Sequence, residues 1–186
     1  MNDTSERYKR KYCAEALEQC TIVKLIAMID LDEIRTRTVT CREYLDSLRG
    51  ESKDEQMQTY SNYKLNEQAM KELKGLVKSI TVVVLGASWC KDCREAIPVL
   101  LHLEEKLGLE VRVFGTIKVA ALDPDHQWRI PPSPPEAEDW GVKAIPWIEI
   151  FDKNGERIDT IIEKPDFTPT LEEEFVFRLK KASGRT

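Results

Sequence analysis

The sequence has no apolar run able to cross a bilayer: its first apolar stretch, Ile22 to Leu31, is too short and carries Lys24 and Asp30. The opening, Met1 to Tyr12, is polar and charged and lacks the layout of a secretory signal. The expectation is a cytoplasmic protein with no membrane partner, in a compartment that keeps spare thiols reduced. An excess of basic charge is also missing. Lys and Arg number 28 against 33 Asp and Glu, a formal net charge of −5, which argues against nucleic acid as a partner, because that needs a field that neutralises phosphates. The five cysteines, Cys13, Cys20, Cys41, Cys90 and Cys93, are odd in number and unevenly spaced, a poor framework for a disulfide-stapled secreted domain. There is no internal repeat, no nucleotide-binding motif and, one proline cluster apart, no low-complexity tract.

What is present can build a core: 41% of the residues are hydrophobic and 33% are charged, a composition suited to a folded domain with a solvated surface. Before Lys78 the signals are helical. Tyr8, Tyr12, Ala16, Cys20, Val23 and Ala27 recur every three or four positions between Ser5 and Ile29, as one face of a helix requires. Thr40-Cys41-Arg42-Glu43 reads as a capping box ahead of Tyr44, Leu45 and Leu48, with Gly50 as the stop. Ser52-Lys53-Asp54-Glu55 repeats the start signal, and Asn66 begins another segment that carries Met70 and Leu73 and ends at Gly75.

From Ile80 the pattern changes. Ile80 to Leu85 is a continuous, largely β-branched run closed by Gly86, the mark of a strand buried on both faces. A helix through Ala96, Ile97, Leu100, Leu101 and Leu107 follows and closes at Gly108, and Leu109 to Phe114 forms a second, parallel strand in a right-handed βαβ unit. Trp147 to Phe151 and Arg157 to Ile162 flank Asp152-Lys153-Asn154-Gly155, a hairpin signal. Thr170 and Glu173 open a last amphipathic helix to Lys181. The fold class expected is α/β, with residues 79–186 as the sheet-containing domain and 1–78 as a helical N-terminal extension.

The chemistry sits between the first strand and its helix. Cys90 and Cys93, one turn apart at a helix start, are close enough to form a redox-active disulfide. The free amides and positive dipole end favour an anion at Cys90, placed at the exposed tip, which makes it the nucleophile; Cys93, one turn inside, resolves the mixed disulfide. The same spacing is half of many zinc sites. Completing one would take two ligands from Cys13, Cys20, Cys41, His102 or His126, none of which forms a second tight pair; strand-to-helix placement favours thiol exchange, with no metal and no bound cofactor.

From Ile80 to Ala182 the sequence resembles the thioredoxin family. The resemblance rests on Trp89-Cys90-Lys91-Asp92-Cys93, on Pro98 five residues beyond the second cysteine, on Ile145-Pro146 just before a strand, and on the order of hairpin and final helix. It implies a three-layer sandwich around a central mixed sheet, a helix kinked at Pro98, and a cis bond before Pro146 that lets Ile145 pair with an extended substrate strand. Protein disulfides are the substrates it implies, with an upstream reductase as electron donor. The sequence also departs from the family pattern. Lys91 and Asp92 replace the usual Gly-Pro and act on the Cys90 thiolate with opposite signs. Val84 stands where the family has a buried aspartate that moves the proton of the resolving cysteine, so that either another group, such as Asp92 through water, handles that proton or resolution is slower. Glu163 falls near the glycine that borders the substrate groove.

Trp89 either shields the disulfide or packs in the core. The segment Asp123 to Asp139, with Pro131, Pro132, Pro134 and Pro135, is expected to be extended and to cross the edge of the sheet, with Trp128 and Trp140 as anchors. His102 reads as a surface or packing residue, His126 has no identifiable partner, and Cys13, Cys20 and Cys41 read as small buried hydrophobes. The leading expectation is a protein-disulfide reductase; the other is a thioredoxin-like adaptor whose cysteines only sense redox state. The helical extension is expected to dock on the sheet domain, with a homodimer interface as the alternative.

Overall fold

The computed structural model describes residues 28–184, so the helix expected from Ser5, with Cys13 and Cys20, lies outside the described residues; Met28 and Ile29 are not helical. Four helices follow: α1 (Leu31–Arg37), α2 (Cys41–Ser47), α3 (Glu51–Asn62) and α4 (Glu67–Leu73). Helix α1 was not anticipated. Asp30 caps it by accepting from the amides of Asp32 and Glu33, and Arg35 and Arg37 occupy its last turn, the charge order a helix dipole favours. Helix α2 has the full capping box, with Thr40 and Glu43 each accepting from the other's backbone amide. Helix α3 corrects the expected start. It begins at Glu51 with Gly50, which has no side chain to cap it, at the N-cap, and the Ser52 hydroxyl, already inside the helix, donates to the Ser88 carbonyl. Asn66 caps α4 through the amides of Gln68 and Ala69.

The sheet has four strands in the order β2-β1-β3-β4. Strand β1 (Ile80–Leu85) is buried along its whole length. It pairs in parallel with β2 (Glu110–Phe114) and antiparallel with β3 (Trp147–Asp152), which pairs antiparallel with β4 (Arg157–Ile162). Helix α5 (Lys91–Leu107) makes the crossover from β1 to β2, and its first turn therefore sits at the carboxyl end of β1. The outer edge of β2 is covered: Val39, between α1 and α2, exchanges two backbone hydrogen bonds with Val113, a device that hides an edge strand. At the far side, the Asp152–Gly155 turn closes the hairpin with Gly155 at φ +81°, and Ile29 lies against it so tightly that a Cβ there would come within 2.1 Å of the Ile29 carbonyl oxygen.

Alternation along β1 places Val82, Val84 and Gly86 on the face beneath α5, where a Cβ on Gly86 would lie 3.3 Å from Cys93 Sγ. Helix α7 (Leu171–Ala182) packs against α5 and β4, and α2 and α3 lie against α5 in turn. Leu31, Ile34, Cys41, Tyr44, Leu45, Leu73 and Val77 join the residues of the sheet in a single hydrophobic cluster. Polar contacts follow the same seam, with the Glu104 carboxylate of α5 accepting from the amides of Cys41 and Arg42 at the start of α2.

The proline-rich connection between β2 and β3 is not wholly extended. It contains a 3-10 turn at Pro124–His126 and the short helix α6 (Glu136–Asp139). Asp123 caps the turn, and Pro124 and Pro135 carry the fixed φ that a first helical turn accepts. The connection also covers a face rather than only an edge. Trp140 packs 5.6 Å from the Phe151 ring, while Trp128 is buried and donates its indole N–H to the Val142 carbonyl.

Candidate active site

Cys90 is the N-cap of α5. Its sulfur accepts from the Cys93 amide at 3.2 Å and its thiol donates to the Ile145 carbonyl, also at 3.2 Å. Ile145 belongs to the loop entering β3, and the Ile145-Pro146 bond is cis. Three elements thus converge at one sulfur: the end of β1, the first turn of α5 and the entry to β3. Both cysteines are free thiols. The expectation of an exposed tip is corrected, since Cys90 is 8% exposed, and Cys93 is fully buried. The Ile145 carbonyl and the first turn of α5 close over Cys90, a cover that periodicity does not reveal.

The pair is electrostatically asymmetric. The Cys93 thiol and amide both donate toward the Cys90 sulfur and draw its pKa down to about 7, against the opposing effects of burial and the Asp92 charge. Holding that hydrogen bond and lying deep in the core push the Cys93 thiol far up. Below about pH 7 the outer sulfur is a thiol that donates to Ile145, and above it a thiolate, while the inner sulfur stays a thiol, an order of ionisation that suits nucleophilic attack by the outer sulfur.

The surrounding residues fall into place as follows. Trp89 is 53% exposed, with its indole N–H on the Ile117 carbonyl, so it flanks the pair rather than joining the core. Lys91 is exposed, while Asp92 pairs with Lys164 at 3.2 Å. Pro98 is buried inside a continuous α5. Val84 is fully buried between Val113 and Ile148, with no charge of its own. Glu163 has a φ of +58°, the only non-glycine at positive φ among the described residues, and its amide holds the Pro146 carbonyl at 2.8 Å. The backbone at Glu163 thus takes the left-handed shape that favours glycine, although the residue is not one.

Other candidates lie elsewhere. His102 is buried, stacked on Tyr60 at 4.0 Å, with Nε2 on the Tyr60 carbonyl. His126 does have a partner, correcting the sequence reading: its Nδ1 is 2.9 Å from the Glu138 carboxylate. Cys41 is fully buried, and burial raises its thiol well above the ordinary value. Among the described residues no three His, Cys, Asp or Glu side chains are grouped to hold a metal ion. Glu149, a fully buried carboxylate on β3, was not singled out from sequence. It sits opposite Val83, on the face away from Cys93, and is held by Trp147, Thr160 and Arg157. The sequence reading also missed the Ser52–Ser88 link and the Arg94–Glu55 ion pair, which fasten α3 beside the cysteines. Ser52 and Glu55 stand among other polar residues of α3, so no periodic signal marked them.

Helices on a mixed sheet, with a Cys-x-x-Cys pair at the first turn of the crossover helix beside a cis-proline loop, define a thioredoxin-like α/β fold. The chain belongs to the thioredoxin family: the family model described as "Thioredoxin" matches residues 38–175, most of the chain and including α2 to α4. A curated thioredoxin from Rickettsia typhi is 31% identical over 81 residues, which cover 44% of this chain and 65% of that protein, just under two thirds of its length. Among solved structures, a protein of unknown function from Pseudomonas aeruginosa superposes with a TM-score of 0.58 at 14% identity, covering 84% of this chain and 94% of its own. An HIV epitope-scaffold gives 0.57 at 11% identity, covering 83% and 92% respectively. Both are likenesses of fold over nearly the whole of those chains.

Proposed function

We propose that this protein is a thiol–disulfide oxidoreductase that reduces protein disulfides through Cys90 and Cys93. The observation that carries the reading is the asymmetry of the pair, with Cys90 lowered to about 7 and Cys93 held as a buried thiol. The Cys90 thiolate attacks one sulfur of a substrate disulfide, forming a mixed disulfide and releasing the other substrate sulfur, which takes up a proton. Cys93 then loses its proton and attacks Cys90, the second substrate sulfur leaves and is protonated, and the Cys90–Cys93 disulfide holds the oxidation that the substrate has lost. Two electrons pass per cycle, so an upstream dithiol or flavoprotein reductase must return them. Where the Cys90 thiol now meets the Ile145 carbonyl, an extended substrate strand would lie along the β3 entry.

The helices before Lys78 form, in this reading, an extension that narrows substrate choice. Helix α3 and the start of α5 wall an open groove beside the cysteines, lined by Glu55, Tyr63, Lys91, Arg94 and Glu95. Mixed charge there favours a polar partner segment of complementary pattern and disfavours others. Insulin reduction by dithiothreitol, run with the full chain, tests the proposal: turnover above the uncatalysed rate that disappears in Cys90→Ser supports it. No acceleration, with Cys90 still open to alkylation, would instead favour a redox-sensing adaptor.

A further inference from the structure

Val84 leaves the inner cysteine without the buried carboxylate that would handle its proton, yet one polar group close to it has no assigned task. Tyr44, on α2, is 4% exposed, and its hydroxyl is buried without a hydrogen-bond partner. A Phe in its place would avoid that desolvation cost. The ring is seated on Gly115, where a Cβ would come within 2.3 Å of it. The neighbouring backbone is that of Gly86, whose amide bonds the Phe114 carbonyl and whose open α-carbon receives Cys93 Sγ. Two glycines on neighbouring stretches of backbone thus receive the Tyr44 ring and the Cys93 sulfur. The titratable groups that act on the phenol are Cys93, Cys90 and Cys41, and the Gln56 side chain of α3 is the uncharged polar group that also acts on it, without a formed hydrogen bond. Gln56 is itself fully buried, tethered through its Nε2 to Ser52, and its Oε1 likewise lacks a partner.

We propose that the Tyr44 hydroxyl, contributed by the helical extension, is the donor that stabilises the Cys93 thiolate during resolution of the mixed disulfide. In the reduced protein Cys93 is a thiol that gives its hydrogen bond to Cys90, and Tyr44 is idle. Once Cys90 is bonded to substrate, Cys93 must ionise to attack; the phenol O–H then turns to the developing anion. The proton that leaves Cys93 passes through solvent to the departing substrate sulfur, and Tyr44 remains protonated throughout. Burial and the nearby sulfurs push the phenol pKa up, which keeps it a donor at every working pH.

The inference rests on the redox reading above, and one experiment separates the two. Reduced full-length protein carrying Cys13→Ser and Cys20→Ser is mixed with Ellman's reagent; attack by Cys90 releases a first equivalent of thionitrobenzoate, and attack by Cys93 on the mixed disulfide releases a second. Tyr44→Phe keeps the ring over Gly115 and is expected to leave the first phase within about twofold, to slow the second about tenfold, as loss of a hydrogen bond to a charged group would, and to move the pH midpoint of the second phase upward. Thermal stability should be unchanged or higher. A second phase with unchanged rate and pH profile would overturn the proposal, as would equal slowing of both phases, which marks a merely structural role. Absence of a second phase in the parent protein would instead defeat the dithiol reading itself.

Discussion

Leu45→Ala probes whether the extension and the sheet unfold as one unit. Leu45 lies on α2, is fully buried, and belongs to the cluster that also contains Val84, Cys93 and Ile148. Truncating such a side chain removes its transfer free energy and leaves a cavity that the neighbours fill only in part, a loss of about 2–5 kcal/mol. All four tryptophans, Trp89, Trp128, Trp140 and Trp147, lie beyond Lys78. Their fluorescence therefore reports the sheet side, while the substitution sits on the helical side. With a urea m-value of about 2 kcal/mol/M, a loss of about 3 kcal/mol moves the tryptophan-detected midpoint down by about 1.5 M. Far-ultraviolet circular dichroism should give the same midpoint. A fluorescence transition that stays in place while the helical signal melts earlier would refute the shared core and make the extension an independent unit.

Asp92→Asn removes a negative charge that opposes the Cys90 thiolate, so the Cys90 pKa should fall below about 7 and alkylation at pH 6 should accelerate. An unchanged or raised pKa would contradict that sign. Glu163→Gly relieves a left-handed backbone that costs an L-residue about 1–2 kcal/mol, offset by the greater unfolded-state freedom of glycine. A net gain of about 0.5 kcal/mol in urea unfolding is expected, and a loss above about 1 kcal/mol would show the side chain to be structural. Arg178, 5% exposed, is bonded to Glu174, Asp159 and Asp166. Removing it as Arg178→Ala leaves the buried Glu174 carboxylate without its counter-ion and should cost about 3 kcal/mol at neutral pH, where a loss under about 1 kcal/mol would place the network's worth at the level of a surface ion pair.

The strands and the thiol pair were legible because their signals are local. The run from Ile80 to Leu85 admits few conformations other than a buried strand, and two cysteines at a helix start share a side whatever the tertiary context. The cap at Thr40 was readable for the same reason. Helix α1 was missed because its evidence is a charge gradient from Asp30 to Arg37 with few apolar residues to give a period. Burial of Cys90 was misjudged because its cover, Ile145, comes from 55 positions further on. Tyr44 read as one of the apolar positions after the Thr40 cap; that its ring lies on Gly115 while Cys93 Sγ lies on Gly86 is a long-range fact that no window of sequence contains. The proline cluster misled through composition, since prolines favour extended chain yet one of them, Pro135, also suits the start of a helix.

The most direct test of the account is the pH dependence of alkylation at each cysteine of the reduced full-length chain, followed by peptide mass spectrometry after a short pulse of iodoacetamide. Only the thiolate reacts. With Cys90 lowered to about 7, its labelling should rise through a midpoint near pH 7, while Cys93, whose thiol is pushed far up, stays unlabelled over the same range. Labelling of Cys93 ahead of Cys90, or a Cys90 midpoint near the ordinary thiol value of about 8.5, would contradict the assignment of nucleophile and resolving thiol.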